Sequence, residues 1–155
     1  MVTDFNVCNG RQCSNFAEGE GTMMNKQEVT ALFAHLEQGD GEKFFEQVAD
    51  DVDWTVEGTH PLAGHYNSKQ DFLAGTFTKL GRVLPEGTQL TVKNVLMDGD
   101  WAIVELRSMA RAQNGMRFDN RYCWVCRFAG NRIVEVRAYL DSWLVGEFFR
   151  QNPID

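Results

Sequence analysis

The chain has 155 residues, enough for one domain with a sizeable core and too few for two domains of ordinary size. Its 43% apolar and 24% charged residues exclude a disordered chain, and no apolar run is long enough to span a bilayer as a helix, so no membrane partner is expected. The net charge of −7, with the arginines of the last third dispersed along strands instead of clustered, speaks against nucleic acid as a partner. The N-terminus lacks the basic-then-apolar pattern of a secretory signal, so a cytoplasmic location is expected.

Residues 1–22 are polar, rich in Gly and Asn, and without period; they read as a flexible extension, with the domain proper spanning 23–155. Asn25 and Glu28 have the spacing of a capping box before the stripe Val29, Leu32, Phe33 and Leu36, which predicts a helix over 26–38. Asp40 can cap a second helix over 41–49 that turns Phe44, Phe45 and Val48 inward. Val52, Trp54 and Val56 alternate with polar residues and predict a strand. The loop Gly58–Tyr66 follows. Ser68 and Asp71 then open a third helix carrying Phe72, Leu73, Thr76, Phe77 and Leu80.

After Pro85-Glu86-Gly87, Leu90–Met97 reads as a strand that turns at Asp98-Gly99-Asp100 into three more. These begin at Trp101, Met116 and Asn131, and Asn114-Gly115 and Gly130-Asn131 punctuate them. If each turn closes on two central residues, Glu105 lies opposite Trp124 and Trp124 opposite Arg137. Arg107, Tyr122 and Tyr139 form the next row, and Met109, Asn120 and Asp141 the one after. Alternation then gathers all nine on one face and leaves a smooth face of Val104, Val125 and Val136.

Carboxylates and guanidiniums are costly to bury unpaired. A face mixing them with aromatics therefore surrounds a polar cavity, pairs them in an ion lattice, or is the solvated side. The order of elements implies an α+β cone, in which a curved antiparallel sheet carries three helices on its concave face. The uncovered smooth face predicts a homodimer through Val104, Val125 and Val136. Cys123 and Cys126, three residues apart on a strand, point to opposite faces. Neither a zinc site nor a shared disulfide is expected of them, and no metal or other cofactor of the chain.

The runs Val52-Asp53-Trp54-Thr55-Val56-Glu57-Gly58, His60-Pro61-Leu62-Ala63-Gly64, Phe118-Asp119-Asn120 with Tyr122 and Trp124, and Arg132 to Asp141 resemble SnoaL-like proteins of the NTF2-like superfamily. Ketosteroid isomerase and limonene-epoxide hydrolase are relatives of these. The resemblance covers about residues 25–147 and implies the cone fold. It implies less about reaction, because the fold hosts isomerases, cyclases, hydrolases and binders.

Asp141 is similar to the last catalytic Asp of the epoxide hydrolases, but Glu105-Leu106-Arg107 reverses their charge order on the middle strand. Where ketosteroid isomerase has its proton-shuttling Asp, this chain has Gly58. The expectation is a pocket for a small, largely apolar, oxygen-bearing molecule. Acid/base chemistry would run through Asp141, with Asn120, Tyr122, Glu105 and Arg107 as catalytic partners. Trp54, His60, Met109, Trp124, Arg137 and Tyr139 would line the pocket. The alternatives are a non-catalytic binder with the same pocket and a dimerisation module.

Overall fold

A computed structural model describes residues 22–154. The expected extension, with Cys8 and Cys13, lies outside them except for Thr22. Asn25 Oδ1 accepts from Glu28 N while the Glu28 carboxylate accepts from Asn25 N, a reciprocal cap that opens α1 (Lys26–Glu37). Its buried stripe, Val29, Leu32, Phe33 and Leu36, packs toward the sheet. Asp40 caps α2 (Gly41–Glu46), which is shorter than expected because Val48 already belongs to β1 (Val48–Val56).

The Gly58–Tyr66 loop contains a short strand, β2 (Gly64–Tyr66), paired antiparallel with the end of β1. Ser68 caps α3 (Lys69–Gly75), but the expected third helix is broken at Thr76 and resumes as α4 (Phe77–Gly81). The strands β3 (Leu90–Asp98), β4 (Trp101–Ser108), β5 (Arg121–Ala129) and β6 (Arg132–Leu140) follow, then α5 (Ser142–Gln151), a helix the sequence reading did not contain. The six strands run in the order β2-β1-β6-β5-β4-β3. All neighbours are antiparallel except β1 and β6, which pair in parallel. The result is the expected α+β cone, a curved sheet with helices against its concave side.

The turns do not close as expected, and that changes which residues share a face. Asn114-Gly115 is not a two-residue reversal. Gly115, at φ +87°, donates from its N–H to Ala112 O at 2.9 Å, and Ala112 N donates to Met116 O at 2.9 Å, so Gln113, Asn114 and Gly115 all lie in the loop. The partner of every β4 residue moves by one: Glu105 pairs with Cys123, Val104 with Trp124, and Leu106 with Tyr122. The second turn does close on Gly130 and Asn131, but an extra residue at Val134 bulges β6 against Arg127 and Phe128. Beyond the bulge Trp124 lies opposite Ala138, not Arg137.

A one-residue slip moves a whole side-chain set to the other face of a sheet. Trp124, Tyr122, Val104, Leu106, Val136 and Ala138 therefore line the concave side, while Glu105, Arg107, Cys123, Val125, Arg137 and Tyr139 lie on the convex side. Val104 and Val136 are fully buried in the core and Val125 is half-exposed on the opposite face, so no smooth Val104/Val125/Val136 surface exists. The three valines expected to form one dimer interface therefore lie on two opposite faces of the sheet.

The core falls into two clusters. The larger joins α1, α2 and α3 to the concave sheet and includes a ring stack of Trp54 on Phe72, with centroids 3.8 Å apart and Trp124 edge-on to Trp54. The smaller gathers Leu80, Leu84, Phe118, Val145 and Phe148 from α4 and the turn after it, the β4–β5 connection and α5.

Candidate binding cavity

Between the two clusters lies a cavity of about 40 Å³. The sheet contributes Val56, Leu90, Tyr122, Trp124, Ala138 and Leu140 to its wall; α3, Thr76 and α4 contribute Phe72, Thr76, Phe77 and Leu80. Phe118, Leu62, Thr88 and Val145 close the rest. No carboxylate, imidazole, ammonium or guanidinium is among these residues. The polar groups on the wall are neutral hydroxyls: Tyr122, Thr76 and Thr88.

Tyr122 is placed by β5, where alternation sets it beside Trp124 on the concave face. Its hydroxyl lies 3.3 Å from Ser108 Oγ. Ser108, wholly buried at the end of β4, also donates to Phe118 O and accepts from Asn120 N, each at 3.0 Å. Burial pushes the Tyr122 phenol up to about 12, with the Ser108 hydrogen bond a smaller opposing pull. It is thus protonated at any physiological pH, and because the Ser108 proton goes to Phe118 O, the phenol is the donor in its long contact with Ser108 Oγ. The Thr76 hydroxyl is committed to Phe72 O at 2.7 Å.

The other expected site residues are dispersed. Glu105 and Arg107 are exposed on the convex face, across the sheet from the cavity. Arg137 is also convex, with its guanidinium 4.8 Å from the Trp101 ring centroid and 3.3 Å from Glu135. Tyr139 and Met109 are exposed. Asp141 is exposed and caps α5, its carboxylate accepting from Leu144 N at 3.0 Å. It does not converge with Glu105 and Arg107, because the register places those on the far face.

Asn120 touches Asp141 as expected, but through the main chain. Its Oδ1 accepts from Asp141 N at 3.0 Å and Arg121 N at 2.7 Å, while its buried Nδ2 has no partner. Asn120 therefore holds the β5 start to the α5 start and does not orient a carboxylate.

His60 is buried beneath its loop instead of on the cavity wall. Nε2 donates to Glu57 O at 3.0 Å and Nδ1 accepts from Leu62 N at 3.2 Å, which fixes one neutral tautomer, and burial lowers its pKa. Gly58 allows this turn. At φ +116° it packs so closely that an added Cβ would stand 2.5 Å from Ser142 Oγ and 2.9 Å from His60 Cδ2.

Of the expected set, Trp124 and Tyr122 line the cavity, and Trp54 backs it through Phe72. Sequence reasoning placed Phe72, Phe77 and Leu80 only as apolar residues of one helix, and Phe118 only in the run that resembles SnoaL-like proteins. Their shared cavity was not readable without the break at Thr76. Among the described residues no group of three or more His, Cys, Asp or Glu side chains gathers as a metal site, and no helix is long and apolar enough to cross a membrane.

Comparison with known proteins agrees with this geometry. The fold is that of NTF2-like proteins. One from Burkholderia thailandensis superposes with a TM-score of 0.67 over 78% of this chain and 93% of its own, at 24% identity. A protein from a soil-derived mobile gene cassette gives 0.68 over 80% and 95%, also at 24% identity. TerC, co-crystallised with polyporic acid, gives 0.64 over 80% and 96% at 18% identity. Within that fold the chain belongs to the SnoaL-like domain family, whose model matches residues 29–136. A fungal protein named dimerizing cyclase phiC is 28% identical over 114 residues, 71% of this chain and 50% of the relative. The chain thus spans about half the length of the curated relative it matches.

Proposed function

We propose that the cone is a binding chamber for a small, largely apolar, neutral molecule bearing a carbonyl or hydroxyl oxygen, and that Tyr122 anchors that oxygen. The observation that carries this reading is the composition of the cavity wall. It is aromatic and aliphatic, with one phenol held protonated by burial and no ionisable group of either sign beside it. A charged ligand would lose its hydration there without compensation, whereas a neutral carbonyl would take the phenol proton in exchange for its long 3.3 Å contact with Ser108 and bury its apolar remainder.

Ring closure of such a molecule is the chemistry to which the reading extends. It is favoured by the name of the fungal relative and by the capacity of a shaped apolar chamber to hold an enol carbon against a carbonyl carbon while the phenol hydrogen-bonds the carbonyl oxygen. The enol C=C electrons form the new C–C bond, the carbonyl π bond opens to a hydroxyl, and the enol proton ends on that oxygen. Acid/base work by Asp141 is no part of this reading. The same lack of a wall-mounted base favours the second reading, a binder without turnover.

Titration with acetophenone, read by quenching of the Trp54 and Trp124 emission, tests the chamber. Saturable quenching that Ala138→Leu abolishes, with the far-ultraviolet spectrum unchanged, is the expected result; Ala138 is on the wall and nearly fully buried. Quenching indifferent to Ala138→Leu would place the ketone elsewhere and defeat the proposal.

A further inference from the structure

The cavity as it stands holds a few waters at most: an engineered cavity of roughly 150 Å³ is what benzene occupies, and this one is about 40 Å³. A ligand therefore needs a wall that moves. On the outer side of the helices lies an open groove of about 500 Å³ between α2 and the α3–α4 pair, lined in part by Phe45, Leu73, Glu42, Glu46 and Lys69. Two residues, Phe77 and Thr88, border both the groove and the inner cavity.

Phe77 is half-buried and is the first residue of α4. Its ring lies edge-on to Phe45, which lines the groove, at 5.6 Å, and to Phe72, which lines the cavity, at 5.9 Å. The backbone breaks directly before it. Thr76 has φ −127° and ψ −80°, and its hydroxyl turns back to Phe72 O instead of capping α4. Phe77, a ring on a helix start, and the small Thr88 are thus the two residues common to the groove outside and the cavity inside.

We infer that Phe77 is the gate of the chamber: its ring swings toward the groove to admit ligand past Thr88, and it sets the size limit of what enters. This inference rests on the binding-chamber reading. The groove also filters charge. Lys69 is committed to Phe45 O, Val48 O and the Asp50 carboxylate, at 3.1, 3.0 and 2.8 Å. The groove carboxylates Glu42 and Glu46 therefore meet an incoming ligand, and they disfavour anions and leave neutral molecules unhindered.

Stopped-flow quenching by acetophenone and the bulkier benzophenone tests the gate in the wild type, Phe77→Leu and Thr88→Leu. Phe77→Leu should speed benzophenone association by about tenfold or more and Thr88→Leu should slow it, with acetophenone less affected by both, because a required conformational opening limits the on-rate. The two substitutions act in opposite directions, so loss of fold in one cannot imitate the pattern. Equal rates in all three proteins, with quenching still abolished by Ala138→Leu, would overturn the gate and leave the chamber standing. No quenching of the wild type by either ketone would remove the chamber itself, and the gate with it.

Discussion

Replacing Tyr122 by Phe removes one hydroxyl from an otherwise unchanged wall, and its consequences for fold, binding and rate differ enough in size to separate the two readings of the cavity. In the fold, the hydroxyl makes one long contact, 3.3 Å to Ser108 Oγ, and Ser108 keeps its bonds to Phe118 O and Asn120 N. The loss in stability is then about 0.5–1 kcal/mol at most, the net worth of a single neutral hydrogen bond. If the phenol anchors a ketone, binding weakens by a similar ~0.5–1.5 kcal/mol, roughly two- to tenfold in Kd. If it also polarises the carbonyl in a reaction, the rate falls much further, by about 10²–10³, as when an oxyanion donor is deleted.

Urea denaturation and fluorescence titration with acetophenone read the first two effects on one variant, and the rate of ring closure of an enolic diketone followed by NMR reads the third. Because burial holds the phenol near 12, each effect should be constant between pH 5 and 9. An unchanged Kd, or an effect that varies across that pH range, would refute the assignment of Tyr122 as the neutral anchor.

Asp141→Ala should cost about 1 kcal/mol of stability through loss of the α5 cap and leave acetophenone binding intact; loss of binding at full stability would return Asp141 to the site. His60 is held neutral by burial, so its folded pKa lies below the ordinary 6.5 while the unfolded imidazole protonates at 6.5. The unfolded chain binds more protons below that pH, and His60 therefore contributes stability above 6.5 that is lost as pH falls toward its depressed folded value. Urea melts of the wild type and His60→Gln should converge on acidification from pH 7.5 to 5, and a pH-independent difference would contradict the buried neutral tautomer. On the convex face, Trp101, Ile103, Val125 and Tyr139 lie among Arg107, Arg127, Arg137, Glu105 and Glu135, a mixed-charge surface able to meet a second copy of itself. A dimer by sedimentation that Val125→Asp converts to monomer is expected, and a monomeric wild type would exclude it.

Periodicity located most of the elements because each depends on its own residues. The Asn25–Glu28 cap, the Val29–Leu36 stripe and the alternation of β3 to β6 are local signals, and the cone follows from their order. The faces of the sheet were not legible for a specific reason. Gly115 can occupy a left-handed position in a two-residue or a three-residue hairpin loop, and the choice between them is made by pairing elsewhere, such as Ser108 N to Asn120 O and Phe118 N to Ala110 O. Val134 adds an independent slip in the next hairpin. Each error is one residue, and one residue is enough to turn Glu105, Arg107 and Arg137 from pocket wall to outer surface.

Asp141 shows how a family likeness and a local signal compete for one carboxylate. An acidic residue that ends a strand and precedes Trp143, Leu144, Val145, Phe148 and Phe149 at helical spacing is also what a helix N-cap looks like, and here that is the work its carboxylate does. The cap has a consequence for the cavity. It fixes the start of α5, whose Val145 closes the wall, and Asn120 ties the same point to β5 two residues from Tyr122. Asp141 thus reaches the candidate site through the backbone it positions. A substitution there that loosened the start of α5 would widen the cavity at Val145, and weaker discrimination between acetophenone and benzophenone at unchanged pH dependence would mark that effect as structural, not as the loss of a proton carrier.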